Sequence, residues 1–302
     1  MKFDVQPRAP YDFDRSLSVF KRWGDESILD FYSPGLYRRV VPTSKGNLLL
    51  QFDSVGTVDE PLVSVHSLSS AHDVGTAEVK GIAEHVLNAS LDLAPVLALM
   101  HNDPVLRTHV ETFRGVRPPL LPSLFEALVV AIIEQQIALP VAIRLKVRMV
   151  ERYGEVFDHA ASHYYAFPSP HVLSQASIDD VRALGISRRK AEYVTGLAEL
   201  VERGQLDLEA SALLTDDELV ARLTSVRGVG RWTAEYAAIR GLGRTSFLLA
   251  DDLGVRRAVS KRYFHGDDPS SEQIRALLDH WGEHKGLLAF YLLSLEHLGV
   301  SD

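Results

Sequence analysis

The feature that most constrains this chain is a pair of glycines set between two helical segments and followed by two adjacent aspartates. Upstream of the glycines, Thr215 and Glu218 have the spacing of a capping box, in which each side chain bonds the other residue's backbone N–H. Leu219, Leu223 and Val226 then recur at helical spacing and form one apolar face. These residues predict an amphipathic helix that ends just before the glycines.

The helical pattern stops at Gly228-Val229-Gly230 and starts again at Trp232 and Tyr236. Two glycines around one apolar residue allow a sharp turn that leaves backbone N–H groups uncovered. At the N-terminus of the second helix, such N–H groups can cradle a phosphate. An ordinary corner between two helices has the same glycine pattern, so the residues downstream of the hairpin decide between the two interpretations.

Downstream lies a short apolar run, residues 247–250, and then Asp251 and Asp252 at the start of another predicted helix. An aspartate that caps a helix directly after an apolar run can be held partly buried beside a pocket, and it can also be an ordinary N-cap. The hairpin and the capping carboxylate together favour a site over a simple corner.

The composition is that of a soluble protein with two or three domains: 302 residues, 46% hydrophobic and 24% charged. No apolar run approaches the ~18 residues that would span a membrane. The first residues lack a signal-peptide pattern, so we expect a cytoplasmic protein without membrane contacts. There is no cysteine, which excludes disulfides, thiolate zinc sites and iron–sulfur clusters.

The net charge of −8 disfavours nucleic acid as a partner if the chain is considered as a whole. Phosphate contacts, however, act over about 8–10 Å, so local charge matters more than the total. Arg144, Arg148 and Arg152 recur every four residues, and residues 188–190 are all basic. Both basic strips are compatible with salt-dependent DNA binding, and equally with solvated helix faces.

The first third of the chain differs from the rest. Three short β-rich runs, at residues 36–41, 47–52 and 62–67, predict a small antiparallel sheet. A helix at residues 14–23 is expected to pack on that sheet. From residue 79 onward, helical periodicity dominates.

Two helices of the later part have clear signals at their ends. Ser123 and Glu126 form a second predicted capping box, and Gly154 ends the next helix along the chain. The predicted fold class is therefore α+β, mainly α. We expect a β-rich N-terminal domain with flanking helices at residues 1–112 and an all-α core at residues 113–302.

Residues 223–234, followed by Asp251 and Asp252, resemble the helix-hairpin-helix DNA glycosylases and are most similar to the bacterial 3-methyladenine DNA glycosylase II branch. Other segments resemble the same family in the same order. They are residues 10–13 at the start of its N-terminal domain, 99–118 at the entry to its helical core, 131–137 with its glutamine segment, and 184–193 before its hairpin.

The resemblance implies a helix-hairpin-helix core in two subdomains with the active site between them. It implies a monomeric, monofunctional DNA glycosylase of base excision repair, associated with the bacterial nucleoid. Such an enzyme flips alkylated bases of the 3-methyladenine and 7-methylguanine type out of double-stranded DNA and hydrolyses them off. No cofactor and no metal are expected, and a monovalent or divalent cation at the hairpin backbone stays open.

The resemblance also assigns roles in the site. Asp252, rather than Asp251, is implied as the catalytic carboxylate, which stabilises positive charge on the sugar and helps to orient the attacking water. The hairpin at residues 228–230 would bind a DNA phosphate. Relatives that also cut the strand carry a Schiff-base lysine at the position of Trp232. Trp232 and Tyr236, one helical turn apart, would either hold the flipped base by its face or both be core.

Gln136, or a residue beside it, would fill the gap that the flipped nucleotide leaves; alternatively it is a plain polar residue at a helix end. The chain departs from the family at His284, where the branch often has another pocket tryptophan, and at Leu253, often aromatic. We therefore expect fewer aromatic side chains in the pocket. His280 and His284 have a helical metal-ligand spacing, but no third ligand is evident.

Two other function classes stay open. One is a non-catalytic DNA-binding helix-hairpin-helix protein, which would have no use for a capping aspartate beside an aromatic pair. The other is a glycosylase for oxidised purines such as 8-oxoguanine. Its known members mostly carry the strand-cutting lysine, which this chain replaces with Trp232.

Overall fold

The computed structural model describes residues 1–23, 28–69 and 74–298. As predicted, the fold is mainly α with an antiparallel sheet near the N-terminus. The strands are β1 (Lys2–Val5), β2 (Asp30–Ser33), β3 (Leu36–Thr43), β4 (Gly46–Ser54), β5 (Val63–Ser67), β6 (Val156–His159) and β7 (Ser162–Tyr165). Shorter 3-10 helices are Ser18–Trp23, Leu106–His109 and Asp279–His284.

The α-helices in these ranges occupy most of the chain after the sheet. They are α1 (Phe13–Leu17), α2 (Thr76–Val86), α3 (Ala94–Asn102), α4 (Val110–Phe113), α5 (Leu124–Glu134), α6 (Leu139–Tyr153), α7 (Pro170–Ser174), α8 (Ile178–Ala183), α9 (Arg188–Glu202), α10 (Leu208–Ala212), α11 (Asp216–Thr224), α12 (Arg231–Leu242), α13 (Leu253–Tyr263), α14 (Ser271–Leu278) and α15 (Lys285–Leu298). None of these helices is long and apolar enough to cross a membrane.

The main sheet is antiparallel, with strand order β1, β5, β4, β3, β2. Its three central strands are the three predicted runs. The edge strands β1 and β2 were not predicted, because each has only 4 residues, too few for a strand pattern to stand out. The helix predicted at residues 14–23 is present as α1 and the 3-10 helix behind it. Phe20 of that 3-10 helix stacks on Tyr37 of β3, with ring centroids 5.3 Å apart.

Three large clusters of buried side chains, and a small one that joins β3 and β4 to β7, lie among the described residues. One lies between the main sheet and helices α1 and α2. A second joins α3 and α4 to α13, α14 and α15. The third is built from α5 through α12. Helices α3 and α4 thus pack with the C-terminal helices, although they fall inside the predicted N-terminal domain. The boundary at residue 112 stays a prediction.

A small hairpin of β6 and β7 departs from the all-α core that the sequence predicted. Its two turn residues, Ala160 and Ala161, have φ values of 49° and 62°. Two consecutive left-handed residues are typical of a type I′ turn, which usually carries Asn-Gly or Asp-Gly. Two alanines give no such signal, so turn chemistry could not predict this hairpin.

Helix α5 begins as predicted at Ser123, whose Oγ accepts from the Glu126 N–H at 3.1 Å. The rest of the predicted capping box is wrong. Instead of returning to Ser123, the Glu126 carboxylate accepts a hydrogen bond from Arg39 of β3. The Arg39 side chain is 1% exposed and also donates to Asp30 at 2.7 Å. A guanidinium buried this deeply requires counter-charges, and that requirement outweighs a single cap bond.

Candidate active site

The predicted glycine hairpin connects α11 to α12. The capping box at the start of α11 is confirmed, since Thr215 N donates to the Glu218 carboxylate at 3.0 Å and the threonine Oγ1 accepts in return. Leu219, Leu223 and Val226 are buried, as their spacing predicts. The apolar face of α11 therefore fixes the position from which the hairpin leaves.

The two glycines of the hairpin have different backbone requirements. Gly228 has a φ of +92°, and a Cβ there would lie 2.2 Å from the Tyr193 ring, so conformation and space both exclude a side chain. Gly230 is the N-cap of α12, with a φ of −87° and open space where its Cβ would be. The N–H groups of both glycines donate to no residue that the structure describes. The N-terminus of α12 is thus open to a ligand.

The loop between α5 and α6 is held against this hairpin. Gln135 Nε2 donates to the Gly228 carbonyl at 2.9 Å and to the Thr233 hydroxyl at 2.8 Å. Lys190 Nζ donates to the carbonyls of Ile133 and Gln135 at 2.7 and 2.6 Å. These roles were not predicted, because every contact joins residues at least 55 positions apart.

Gln136 comes next in the chain and belongs to the lining of the cavity that α12 and α13 border. Its side chain is exposed, and its backbone has a φ of 54°. For a residue with a Cβ this left-handed conformation costs roughly 1–2 kcal/mol. Backbone strain that the surroundings hold in place is common at functional positions. The geometry therefore presents Gln136 outward, and its predicted role as the gap-filling residue stays a prediction.

The adjacent aspartates have different surroundings. Asp252 is the half-buried N-cap of α13, and its Oδ1 accepts from the N–H groups of Gly254 at 2.8 Å and Val255 at 3.1 Å. Its Oδ2 accepts no hydrogen bond from a described residue. Asp251 is exposed and bonds Arg275 at 2.7 Å. A hydrogen bond from Ser271, together with the Arg275 guanidinium, lowers the pKa of Asp251. Asp251 is thus engaged in an ion pair, whereas Asp252 keeps one oxygen available.

Trp232 and Tyr236 share one face of α12, as predicted. Their ring centroids are 5.4 Å apart with an interplanar angle of 37°, and both side chains are half-buried. Tyr236 and Glu134, the last residue of α5, line the same cavity. Burial raises the pKa of the Glu134 carboxyl, and the charge of Lys146 and the Tyr236 hydroxyl only partly offset this. No sequence pattern had singled out Glu134.

These elements surround a cavity of about 1760 Å³ between the second and third hydrophobic clusters. Its lining includes Asp252, both aromatic residues of α12, and the hairpin. From α15 it includes Phe290, which no sequence pattern had indicated, but not His284. His284, which stands where the family often has a pocket tryptophan, is the last residue of the preceding 3-10 helix. Leu253 lines the rim and is 66% exposed.

The charge around the cavity differs from that of the whole chain. Among the described residues, six cationic and four acidic side chains line it, namely Lys146, Arg189, Lys190, Arg227, Arg240, Arg257, Asp30, Glu134, Asp251 and Asp252. The lining therefore has a positive net charge, although the net charge of the whole chain is −8. The basic strip at residues 188–190 contributes to this lining, whereas the strip on α6 lies on an exposed face outside it.

Metal ligands do not cluster in the part of the chain that the structure describes, where no group of three or more histidine, aspartate or glutamate side chains could hold an ion. At the hairpin, the Val226 carbonyl accepts from the Val229 N–H and the Gly228 carbonyl accepts from Gln135. A cation bound by this backbone stays a prediction.

The family model of the HhH-GPD superfamily of base excision DNA repair proteins matches residues 129–284, just over half of the chain. The matched region contains the loop after α5, the hairpin and Asp252. The chain therefore belongs to the HhH-GPD superfamily.

Particular relatives extend the similarity beyond that region. The chain is 30% identical over 220 residues to DNA-3-methyladenine glycosylase 2 of Escherichia coli (strain K12), which covers 67% of this chain and 74% of that one. It is 25% identical over 285 residues to DNA-3-methyladenine glycosylase of Bacillus subtilis (strain 168), covering 93% of each. The solved structure of 3-methyladenine DNA-glycosylase from Archaeoglobus fulgidus matches with a TM-score of 0.86 and 27% identity over 98% of each chain. The last match includes the N-terminal sheet.

Proposed function

We propose that this chain is a monofunctional DNA glycosylase of base excision repair that removes alkylated bases from double-stranded DNA, acting as a monomer. The observation that carries the proposal is the position of Asp252. Asp252 lines a cavity together with an aromatic pair and the hairpin at an uncapped helix N-terminus, and only one of its carboxylate oxygens is used in capping α13. The relatives above, all named 3-methyladenine glycosylases, support the same substrate class.

DNA is held at the rim of the cavity. The N–H groups of Gly228 and Gly230, aided by the positive end of α12, bind a backbone phosphate without reading sequence. The locally positive lining supports this contact despite the acidic total charge. Gln136, strained and exposed in the cavity lining, enters the space that the flipped nucleotide leaves.

The flipped base enters the cavity and lies against Trp232 and Tyr236. Alkylated purines carry positive charge or strong polarisation, which electron-rich ring faces attract by ~0.5–2 kcal/mol. As the N-glycosidic bond breaks, positive charge develops on the sugar beside the Asp252 carboxylate. A preorganised charge of this kind contributes about 10²–10³-fold in rate. The same carboxylate orients the water that attacks the sugar, and the product is an abasic site.

Residue 232 decides between hydrolysis alone and strand cutting. A lysine there attacks the sugar and forms a Schiff base, which a tryptophan cannot do. Trp232 likewise disfavours the oxidised-purine alternative, whose members mostly carry that lysine. The non-catalytic alternative is disfavoured by the free oxygen of Asp252, since a plain helix cap has no need to face a cavity.

The adjacent aspartates provide a matched pair for the test. Wild type, Asp252→Asn and Asp251→Asn are assayed for base release from methylated duplex DNA under single turnover, with borohydride added to trap a Schiff base. We expect release by the wild type, a loss of about 10²–10³-fold in Asp252→Asn with DNA affinity kept within about tenfold, and a small change in Asp251→Asn. No trapped adduct is expected.

Each part of the proposal has a result that would contradict it. Wild-type turnover by Asp252→Asn, with Asp251→Asn inactive, would reverse the assignment within the pair. A trapped enzyme–DNA adduct would contradict hydrolysis without strand cutting. No base release by the wild type would favour the non-catalytic alternative.

A further inference from the structure

The cavity contains a second carboxylate besides that of Asp252 and its ion-paired neighbour. Glu134 is half-buried at the C-terminal end of α5 and lines the cavity together with Trp232, Tyr236 and Asp252. The two carboxyl groups thus border the same space. A nucleotide in the cavity therefore meets two carboxyl groups and two electron-rich rings.

The surroundings of Glu134 leave it able to accept a further partner. It makes no ion pair with any residue that the structure describes. Lys146 and Arg240 also line the cavity, and their charges act on Glu134 from beyond ion-pair distance. A carboxylate has about four acceptor positions, and no cation within ion-pair distance occupies those of Glu134.

This arrangement suits one chemical class of base. A purine methylated on a ring nitrogen, such as 7-methylguanine in DNA, carries a formal positive charge, whereas normal bases and hypoxanthine are neutral. In a partly desolvated cavity a charge–charge interaction is several times stronger than in water. Neutral bases gain no such charge–charge interaction. The carboxylate therefore helps to distinguish methylated from neutral bases, and it also adds to the affinity.

We propose that Glu134 is a specificity-determining residue that recognises the positive charge of a flipped, ring-methylated purine. The inference rests on the proposed function and names the feature of the substrate that the cavity selects. Tyr236 contributes its ring face directly.

The test measures binding rather than turnover, so that its result does not depend on base release. Equilibrium dissociation constants are measured in an Asp252→Asn background for duplexes that contain one 7-methylguanine, one hypoxanthine or no lesion. Glu134→Gln keeps the size of the side chain and removes its charge. Tyr236→Phe keeps the ring and removes the hydroxyl group. Melting temperature and affinity for the undamaged duplex establish that each variant is folded.

We expect Glu134→Gln to weaken binding of the 7-methylguanine duplex by about tenfold, equivalent to 1.4 kcal/mol. Binding of the hypoxanthine and undamaged duplexes should change by less than about threefold, because neutral bases lose no charge interaction. Tyr236→Phe should keep most of the preference for the methylated base, since the carboxylate stays in place.

Three results would overturn the inference. One is an equal loss for all duplexes in Glu134→Gln, which would indicate a general packing role. Another is the same selective loss in Tyr236→Phe, which would make Glu134 only a support for the tyrosine. The third is no preference for the methylated duplex in the parent protein. Base release by the wild type is a separate measurement, so failure of the proposed function remains distinguishable.

Discussion

Helix α5 carries a buried or half-buried glutamate near each end, and the two carboxylates have different partners. Near the N-terminal end, Glu126 is 2% exposed and paired with Arg39, which also bonds Asp30. At the C-terminal end, Glu134 borders the cavity, and cations act on it only from longer range. Burial raises the pKa of both carboxyls. The glutamate at the N-terminal end is thus fully paired inside an interface between sheet and helix, whereas the glutamate at the C-terminal end has no ion-pair partner among the described residues.

The difference separates residues that hold the fold from residues that meet a ligand. An ion pair closed off from water fixes the position of the sheet on α5. Removing one partner of such a pair strongly lowers the stability of the fold, because the other charge stays buried without a counter-charge. A carboxylate with unused acceptor capacity at a cavity is a candidate for recognition. The hairpin shows the same contrast on a smaller scale, since Gly228 packs on Tyr193 while Gly230 faces open space.

The largest effect is expected where the paired end of α5 is broken. Arg39→Met leaves Asp30 and Glu126 buried without their cation, and we expect a loss of about 3–5 kcal/mol in the free energy of unfolding at neutral pH. Lys146→Met is the matched change near the cavity end. It should cost less than about 1 kcal/mol, because Lys146 is only half-buried and its charge acts at longer range. Urea unfolding of both variants measures the difference.

The deficit of Arg39→Met should also shrink in acid, where protonation removes the two stranded charges. Equal losses of stability in the two variants would contradict the comparison between the ends of α5. The buried Arg39 pair would then be no more important to stability than the long-range charge of Lys146.

The next effect concerns the hairpin. Gly230→Val meets no neighbouring atoms and keeps an allowed φ, so we expect an unchanged melting temperature. Its side chain would obstruct phosphate approach and lower affinity by about tenfold for damaged and undamaged duplexes alike. Gly228→Val should instead lower the melting temperature, because it forces a β-branched residue to positive φ against Tyr193. Melting curves and fluorescence anisotropy separate the two outcomes.

Gly75→Val is a suitable control for Gly230→Val. Gly75 is also the N-cap of a helix, with negative φ and open space at its Cβ position, but it lies on α2 away from the cavity. DNA affinity should not change in this variant. Lost stability with unchanged affinity in Gly230→Val would mean that the hairpin is an ordinary helical corner.

The parts of the site that the sequence predicted are those with local signals. The capping box at Thr215, the glycine hairpin and the capping Asp252 each depend on residues a few positions apart, so their spacing carries the information. Trp232 and Tyr236 are one helical turn apart, and helical geometry alone brings their rings together.

The parts that were missed depend on contacts between distant segments. Glu126 satisfies Arg39, 87 positions away, instead of its own helix end. Gln135 bonds the hairpin 93 positions away, and Lys190 of α9 bonds the loop after α5 across 55 positions. Phe290, rather than His284, reaches the cavity because of how α15 packs against α13, which no local pattern specifies. Glu134 belongs to this class, since only the cavity distinguishes it from any polar residue at a helix end.

The smallest effect is the pH dependence of stability that Glu134 introduces. Its pKa is raised in the folded protein above its ordinary value of 4.5, with burial as the largest cause. Below that ordinary value the carboxyl is neutral in both the folded and the unfolded protein, so Glu134 does not lower the free energy of unfolding. As pH rises through the folded-state pKa, the folded protein must keep a partly buried charge that the unfolded chain solvates better, so stability is lost. Glu134→Gln should therefore melt slightly higher than wild type at neutral pH.

Melting curves of wild type and Glu134→Gln between pH 4 and pH 8 test this sign. The two should agree at the acidic end and separate as pH rises, while an exposed glutamate on α6, changed in Glu151→Gln, should follow the wild type throughout. We expect Glu134→Gln to be more stable and yet to bind methylated DNA less well. The reason is that the same partly buried charge lowers the stability of the free protein and attracts the cationic base. If Glu134→Gln melts lower than wild type at neutral pH, Glu134 supports the fold, and the contrast with Glu126 disappears.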